Sequence, residues 1–340
     1  MKATKILVIG ANGQIGTELT AALRWQYGKS NVIAADKFIK DGAENEIALD
    51  VLDEQRLKNV VKEYGITQIY LLAAMLSATG EQQAAAAWRL NMQGLISVLE
   101  IAKEQRLDKV FWPSSIAVFG PGSPKHDCPQ DTIIAPSTVY GISKRAGEHW
   151  CQYYFEKHGV DVRSLRYPGL ISYTTPPGGG TTDYAVDIFH QALEKQSYTC
   201  FLAEDTCLPM MYMPDAIRAT LELMNAPKDN VKIRGSYNIT GLSFAPCDVA
   251  AAIARRIPGF SIDYRPDYRQ AIANSWPASI NGTQAMNDWG WKPAYSMDNI
   301  VDDMLDKLSG IKKIKLKNKL MVPSEYPDFQ IDNYVYNKNF

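Results

Sequence analysis

The chain has little with which to hold a metal or a disulfide framework. Its five cysteines, Cys128, Cys151, Cys200, Cys207 and Cys247, are odd in number and show no ligand spacing. The four histidines, His126, His149, His158 and His190, are scattered. Reduced thiols and a cytoplasmic location are expected from that pattern. No apolar run approaches the ~20 residues of a membrane span. The first strand is expected from about residue 5, which leaves no room for a signal or transit peptide. Lys+Arg number 36 against Asp+Glu 37, a formal net charge of −1. So even a balance gives no field for nucleic acid or an anionic membrane, and neither is expected as a partner. No internal repeat is present. The 340 residues, 46% hydrophobic and 21% charged, suffice for one large α/β domain and a smaller lobe.

The N-terminal end reads as a nucleotide site. Lys5-Ile-Leu-Val-Ile9 is a short apolar run, the pattern of a buried parallel strand. Gly10, Asn12, Gly13, Gln14, Ile15 and Gly16 follow it and open an amphipathic helix to about Tyr27. Asn31–Ala35 reads as a second strand ending at Asp36 and Lys37. Glycines let the backbone approach a pyrophosphate, and the helix N-terminus presents free N–H groups to it. Asp36 lies where a carboxylate can accept from both adenosine ribose hydroxyls and repel a 2′-phosphate. NAD is therefore expected over NADP, although Lys37 could partly accommodate the phosphate. Further on, Asp50 and Val51 either meet the adenine or form an ordinary turn. Gln68–Ala74 reads as a strand, whose end, Leu72, Ala73 and Ala74, leaves space for cofactor.

A second constellation can do chemistry only in combination. Tyr140 and Lys144 stand four apart and share a helical face, within an expected helix over 138–158. A lysine ammonium there stabilises a tyrosinate and lowers the phenol pKa. Ser115 is delivered at the C-terminal end of an expected strand from Lys109, the edge at which parallel sheets bind ligands. Together the three make a general base able to take a proton from an alcohol while hydride leaves its carbon. Asn91 lies on a long expected helix over 88–105, and Tyr167 ends an expected strand from Asp161. The two long helices have broad apolar faces that could build a dimer as a four-helix bundle or simply cover the sheet.

The second half changes character. Pro176-Pro-Gly-Gly-Gly180-Thr181-Thr182-Asp183 opens a helix from Tyr184. Its N–H groups and threonine hydroxyls would seat a small carboxylate, or the segment is a linker. Ala273–Ser279 and Asn287–Trp291 read as aromatic loops packing a small lobe over the cleft. From Ser309 a basic stretch, Ile311–Lys319, and an aromatic run, Tyr326, Phe329, Tyr334, Tyr336 and Phe340, stand apart. A solvated stretch with a docking tail is the expected reading.

Gly10–Gly16, Asp36, Ser115, Tyr140 and Lys144 fall in register with the extended short-chain dehydrogenase/reductase family, which the chain resembles. Within it, Leu76–Glu81, Pro113–Gly120, Pro136–Lys144, Arg166–Ser172, Pro177–Ala185, Leu208–Asp215 and Asn274–Pro277 are similar to short-chain L-threonine 3-dehydrogenases. These segments cover about residues 1 to 308. The resemblance implies an α/β fold, a Rossmann doubly wound parallel sheet over 1–170 with returning segments near 212–240. A smaller substrate-binding lobe would occupy mainly 171–308, with 309–340 an extension. It implies a homodimer, NAD as cofactor, and oxidation of L-threonine at its β-carbon to 2-amino-3-oxobutyrate. Tyr140 would take the hydroxyl proton, Lys144 would tune it and bond the nicotinamide ribose, and Ser115 would orient the hydroxyl. Asn91 would support a proton relay beside the cofactor, or bond backbone as an ordinary helix residue. Ser77, Gly180, Thr181 and Thr182 would hold the amino acid, with the glycine loop moving to close the site. A nucleotide-sugar epimerase or dehydratase shares the nucleotide and catalytic motifs. It needs basic residues for a second pyrophosphate, and between Pro176 and Asp215 the only Lys or Arg is Lys195.

Overall fold

A computed structural model describes residues 3–39, 44–176 and 178–320. Strand β1 (Ile6–Ile9), buried at all four positions, leads through the glycine turn into helix α1 (Gln14–Tyr27) and strand β2 (Val32–Asp36). Strand β3 (Glu46–Ala48), helix α2 (Glu54–Glu63) and strand β4 (Gln68–Leu71) follow. Helices α3 (Ser77–Gln82) and α4 (Ala84–Trp88) continue through a π turn, Arg89–Gln93, into α5 (Gly94–Gln105). Next come β5 (Lys109–Phe111), β6 (Ser114–Ser115), helix α6 (Val139–His158), β7 (Val162–Arg163), β8 (Leu165–Tyr167) and β9 (Gly169–Ile171). The remainder is α7 (Tyr184–Lys195), β10 (Ser197–Cys200), β11 (Leu208–Tyr212), α8 (Met213–Asn225), β12 (Tyr237–Asn238) and β13 (Leu242–Phe244), then α9 (Pro246–Ala254), β14 (Ser261–Tyr264), α10 (Tyr268–Ser275), α11 (Thr283–Trp289) and α12 (Met297–Leu320).

Among the described residues six strands form one sheet in the order β3-β2-β1-β4-β5-β7, every neighbouring pair parallel. This is the expected α/β, Rossmann-like architecture. The strand order reverses between β1 and β4, and ligands bind beyond the C-terminal ends of strands at such a reversal. Successive side chains of β1 enter opposite layers. Leu7 and Ile9 join Val60, Leu95, Val98 and Tyr154 on one face, while Ile6 and Val8 join Leu19, Leu23, Ala216 and Leu223 on the other. Each fully buried aliphatic side chain contributes about 1.5–3 kcal/mol. A third cluster packs α7, α9 and α12 around β11, with Phe189, Met210, Ile253 and Met304 among its members.

Two expected strands are broken. Between β5 and β6 stands Pro113, which has no N–H for a ladder. Ser164 separates β7 from β8. The line resumes past both breaks, since β6 pairs with β8, which also pairs with β12. Pairing of β4 stops at Leu71, but the Leu72 and Ala73 N–H groups still donate to Ile9 O at 2.8 and 3.0 Å. Two aromatic segments also differ from expectation. Asn287–Trp289 is the last turn of α11, and Trp291 is buried with Trp289 beside the sheet, packed with β1 and α8 rather than over the cleft. Likewise Ala273–Ser275 closes α10. Helix α12 runs through the expected boundary at 309. The aromatic run from Tyr326 to Phe340 lies outside the described residues, as do the side chains of the lysine stretch 312–319.

Candidate active site

The glycine turn is shaped by contacts that leave no space for side chains. Gly10 has φ +89°, and a Cβ there would lie 2.6 Å from Ala73 N. A Cβ on Gly16 would lie 2.1 Å from Gly10 O, so α1 starts directly against the turn. This cradle fits the pyrophosphate of a dinucleotide, with the N-terminus of α1 facing it. At the end of β2, Asp36 accepts N–H bonds from Asn12 (2.9 Å) and Lys37 (2.8 Å), which fix its carboxylate beside the turn. Asn12 Nδ2 donates to Phe38 O, fastening the turn to the segment after β2. Lys37 Nζ pairs with Asp50 Oδ2 at 3.2 Å. The Leu52 N–H and Lys37 together hold the Asp50 carboxyl below its usual range. Val51 is buried, with its methyls against Gly94 of α5.

One cleft runs from this cradle across the sheet edge. Gly10, Gly13, Gln14, Ile15 and Gly16 line one end, with Leu72 and Ala74 beside them. Ser77, Ser115, Tyr140, Lys144 and Tyr167 line the middle, and Gly180, Thr181, Thr182 and Asp183 the far end, with Trp276 closing over it. Ala73 meets the cradle through its backbone, under Gly10. Tyr167 reaches the cleft, but its hydroxyl bonds Thr220 within the core.

Helix α6 begins where two oxygens cap its free N–H groups: Thr138 Oγ1 accepts from Gly141 and Glu81 Oε1 accepts from Val139 at 2.7 Å. That start sets Tyr140 in the first turn and Lys144 in the second. Burial pushes the Tyr140 phenol pKa up to about 12, and the Ser115 hydroxyl facing it offsets part of that rise. Lys144 is 2% exposed. Its Nζ donates to Pro113 O at 2.6 Å and lies 4.5 Å from the Trp112 ring centroid and 5.4 Å from that of Tyr140. Burial lowers the ammonium pKa to about 7. Desolvation is the leading influence on both groups and outweighs the expected depression of the tyrosine by its lysine.

Asn91 sits in the π turn, where one extra residue per turn re-aims side chains. Its amide clamps Met75, accepting from the N–H at 2.8 Å and donating to the carbonyl at 3.1 Å, and also donates to Ser143 Oγ. The backbone-bonding alternative for Asn91 is therefore the one the geometry displays. It fixes the chain just before Ser77.

The glycine loop holds a different arrangement from the expected seat. The Gly179 and Gly180 N–H groups both donate to Asp183 Oδ2 at 2.7 Å, so the chain's own carboxylate fills the nest. Burial raises the Asp183 pKa despite those donors. Thr181 Oγ1 is buried with no hydrogen-bond partner. Asp183 was not among the expected site residues. Its signal was an aspartate three positions past a glycine run, where a short carboxylate reaches back to backbone N–H groups.

Residues 6–240 match the model of the NAD dependent epimerase/dehydratase family. An uncharacterized epimerase/dehydratase of Staphylococcus saprophyticus is 46% identical over 92% of this chain and 99% of its own length. Among solved structures, the holo form of a GalE-like L-threonine dehydrogenase from Cupriavidus necator is 59% identical, with TM-score 0.88 over 89% of this chain and 99% of that one. A monomeric L-threonine 3-dehydrogenase from a metagenome is 45% identical, with TM-score 0.88 over 90% and 99%. The chain belongs to the NAD-dependent epimerase/dehydratase family.

Proposed function

We propose that this protein is an NAD-dependent L-threonine 3-dehydrogenase, which oxidises the β-hydroxyl of L-threonine to give 2-amino-3-oxobutyrate. The observation that carries the reading is the single cleft joining the dinucleotide cradle, Ser115–Tyr140–Lys144 and the Thr181–Asp183 loop. Lys144 is the one Lys or Arg among the described residues lining it. A nucleotide sugar would require cationic side chains at a second diphosphate, whereas a small zwitterion needs an anion for its ammonium group, and Asp183 supplies one. The similarity to structures named as L-threonine dehydrogenases points the same way.

Bound NAD+ supplies the acceptor for the hydride of the β-carbon. Gly10, Gly13, Gln14, Ile15 and Gly16 hold the dinucleotide phosphates, with Asn12 bracing the turn. Leu72, Ala73 and Ala74 floor the site. Asp36 takes the adenosine ribose hydroxyls and disfavours a 2′-phosphate, while Asp50 holds Lys37 aside and Val51 borders the adenine. Tyr140 accepts the hydroxyl proton, Ser115 orients the hydroxyl, and the ammonium of Lys144 favours the tyrosinate and bonds the nicotinamide ribose. Ser77, Gly180, Thr181 and Thr182 position the amino acid around Asp183. Asn91 supports this set through Met75 rather than by contact, and Tyr167 backs the cofactor from the core. A Rossmann unit over 1–170 would supply the cofactor half and mainly 171–308 the substrate half. Purified protein with NAD+ and L-threonine is expected to form NADH, followed by absorbance; turnover of UDP-sugars in place of threonine would overturn the reading.

Helix α6 exposes Ile142, Trp150 and Tyr153 along one face, and Trp88 stands exposed at the end of α4. An apolar stripe of this kind is suited to a second copy of the chain, as a homodimer. Light scattering is expected to give twice the 37.9 kDa chain mass; a single-chain mass at micromolar concentration would remove the homodimer. Among the described residues no helix is long and apolar enough to cross a membrane, in keeping with a cytoplasmic enzyme.

A further inference from the structure

Tyr140, Lys144 and Glu148 follow one another at intervals of four along α6 and share a face. Glu148 is 1% exposed, and a carboxylate so enclosed requires partners for both oxygens. Ser114 Oγ donates to Oε1 at 2.8 Å. Arg166 donates from Nε to Oε1 at 2.8 Å and from Nη2 to Oε2 at 2.9 Å, a two-pronged fork. Arg145 Nη1 makes a longer contact with Oε2, 3.3 Å. Arg166 is itself tied down, with Nη1 donating to Gln130 O and Asn238 Oδ1, both at 3.0 Å. The network thus joins α6, β6, β8 and β12.

Pro113 and the two residues of β6 each meet one residue of this helix face. Pro113 O accepts from Lys144, Ser114 Oγ donates to Glu148, and Ser115 faces Tyr140 across the cleft wall. Three consecutive residues, Pro113 and the two of β6, thus face three turns of one helix. Of the three links, the one through Lys144 is given up whenever that ammonium turns to a ligand. The Tyr140 link carries the proposed chemistry. Ser114 also lines the cleft, but its hydroxyl is turned away to Glu148 and that link is anchored by a guanidinium on a third element.

We infer that Ser114 and Glu148, backed by Arg166, are positioning residues that set Ser115 against Tyr140. The inference rests on the roles proposed above for Ser115 and Tyr140. Ser114→Ala is the variant that tests it, because it leaves the Glu148–Arg166 fork paired and removes about one hydrogen bond. Crystal structures of the variant and the unsubstituted protein are expected to differ in the separation of Ser115 Oγ from the Tyr140 oxygen, by about 1 Å. In solution kcat is expected to fall about 10-fold, with KM for threonine and Kd for NAD+ unchanged, since a misplacement near ~1 Å can cost up to ~10²-fold. A variant structure with the Ser115–Tyr140 separation unchanged overturns the inference, whatever the thermal stability does. So does a displaced Ser115 with unaltered kcat. If the unsubstituted protein does not oxidise threonine, the substrate reading fails, and the crystallographic comparison still decides the positioning role.

Discussion

Tyr140→Phe is expected to lower kcat for threonine oxidation by about 10³-fold, the scale of a general base, or ~4 kcal/mol of barrier. The change removes one oxygen and leaves a ring that fills the same space. The oxygen faces Ser115, so the cost in stability is at most that of one hydrogen bond, about 1 kcal/mol. Affinity for NAD+, read by quenching of intrinsic fluorescence, is expected to stay within about twofold, because the cradle at Gly10 and Gly16 is untouched. A variant that keeps a tenth or more of the activity would remove Tyr140 from the role of base. Loss of cofactor affinity together with turnover would instead assign it to binding.

Lys144→Met is expected to stabilise the ligand-free protein at neutral and acidic pH while abolishing most of its activity. Lys144 has a folded-state pKa of about 7, against ~10.4 for an unperturbed lysine. Between those values the unfolded chain binds a proton that the folded chain has shed, so stability rises with pH across that window. Below it the folded protein carries a buried ammonium at full desolvation cost, on the order of a few kcal/mol. The Pro113 carbonyl and Trp112 ring offset part of this. Methionine keeps the length and drops the charge. Its melting temperature should exceed that of the unsubstituted protein by on the order of 5 °C near pH ~6, with the gain shrinking toward pH ~10. A pH-independent difference would mean that Lys144 is not a desolvated cation in the folded state.

Much of the nucleotide half was legible because its signals are local. Ile6–Ile9 is apolar at every position because both faces of the strand are covered, and Gly10 and Gly16 mark places where backbone meets backbone. Helix α6 is legible in the i, i+4 spacing of Tyr140 and Lys144, and the Thr138 hydroxyl caps its observed first turn. What escaped depends on partners distant in sequence. Nothing in Asn287–Trp291 says which core will receive two tryptophans, and they went to the sheet beside α8. The π turn at Arg89–Gln93 adds one residue to a turn without a residue type that betrays it. The Tyr140–Lys144 spacing names two groups that can exchange charge, but the surrounding desolvation, which sets their protonation, is a property of the assembled fold. At Gly179–Gly180 the run of donors is plain in the sequence, whereas the carboxylate that answers them is fixed only by the fold of the loop.

That last arrangement has a consequence for selectivity. Backbone amides converging in a nest ordinarily capture sulfate, phosphate or any small carboxylate that diffuses in. Here the concavity is plugged from within by Asp183, tethered three residues away, so a dissolved anion meets donors already taken. The far end of the cleft thereby sets a carboxylate where the backbone alone would have presented positive potential.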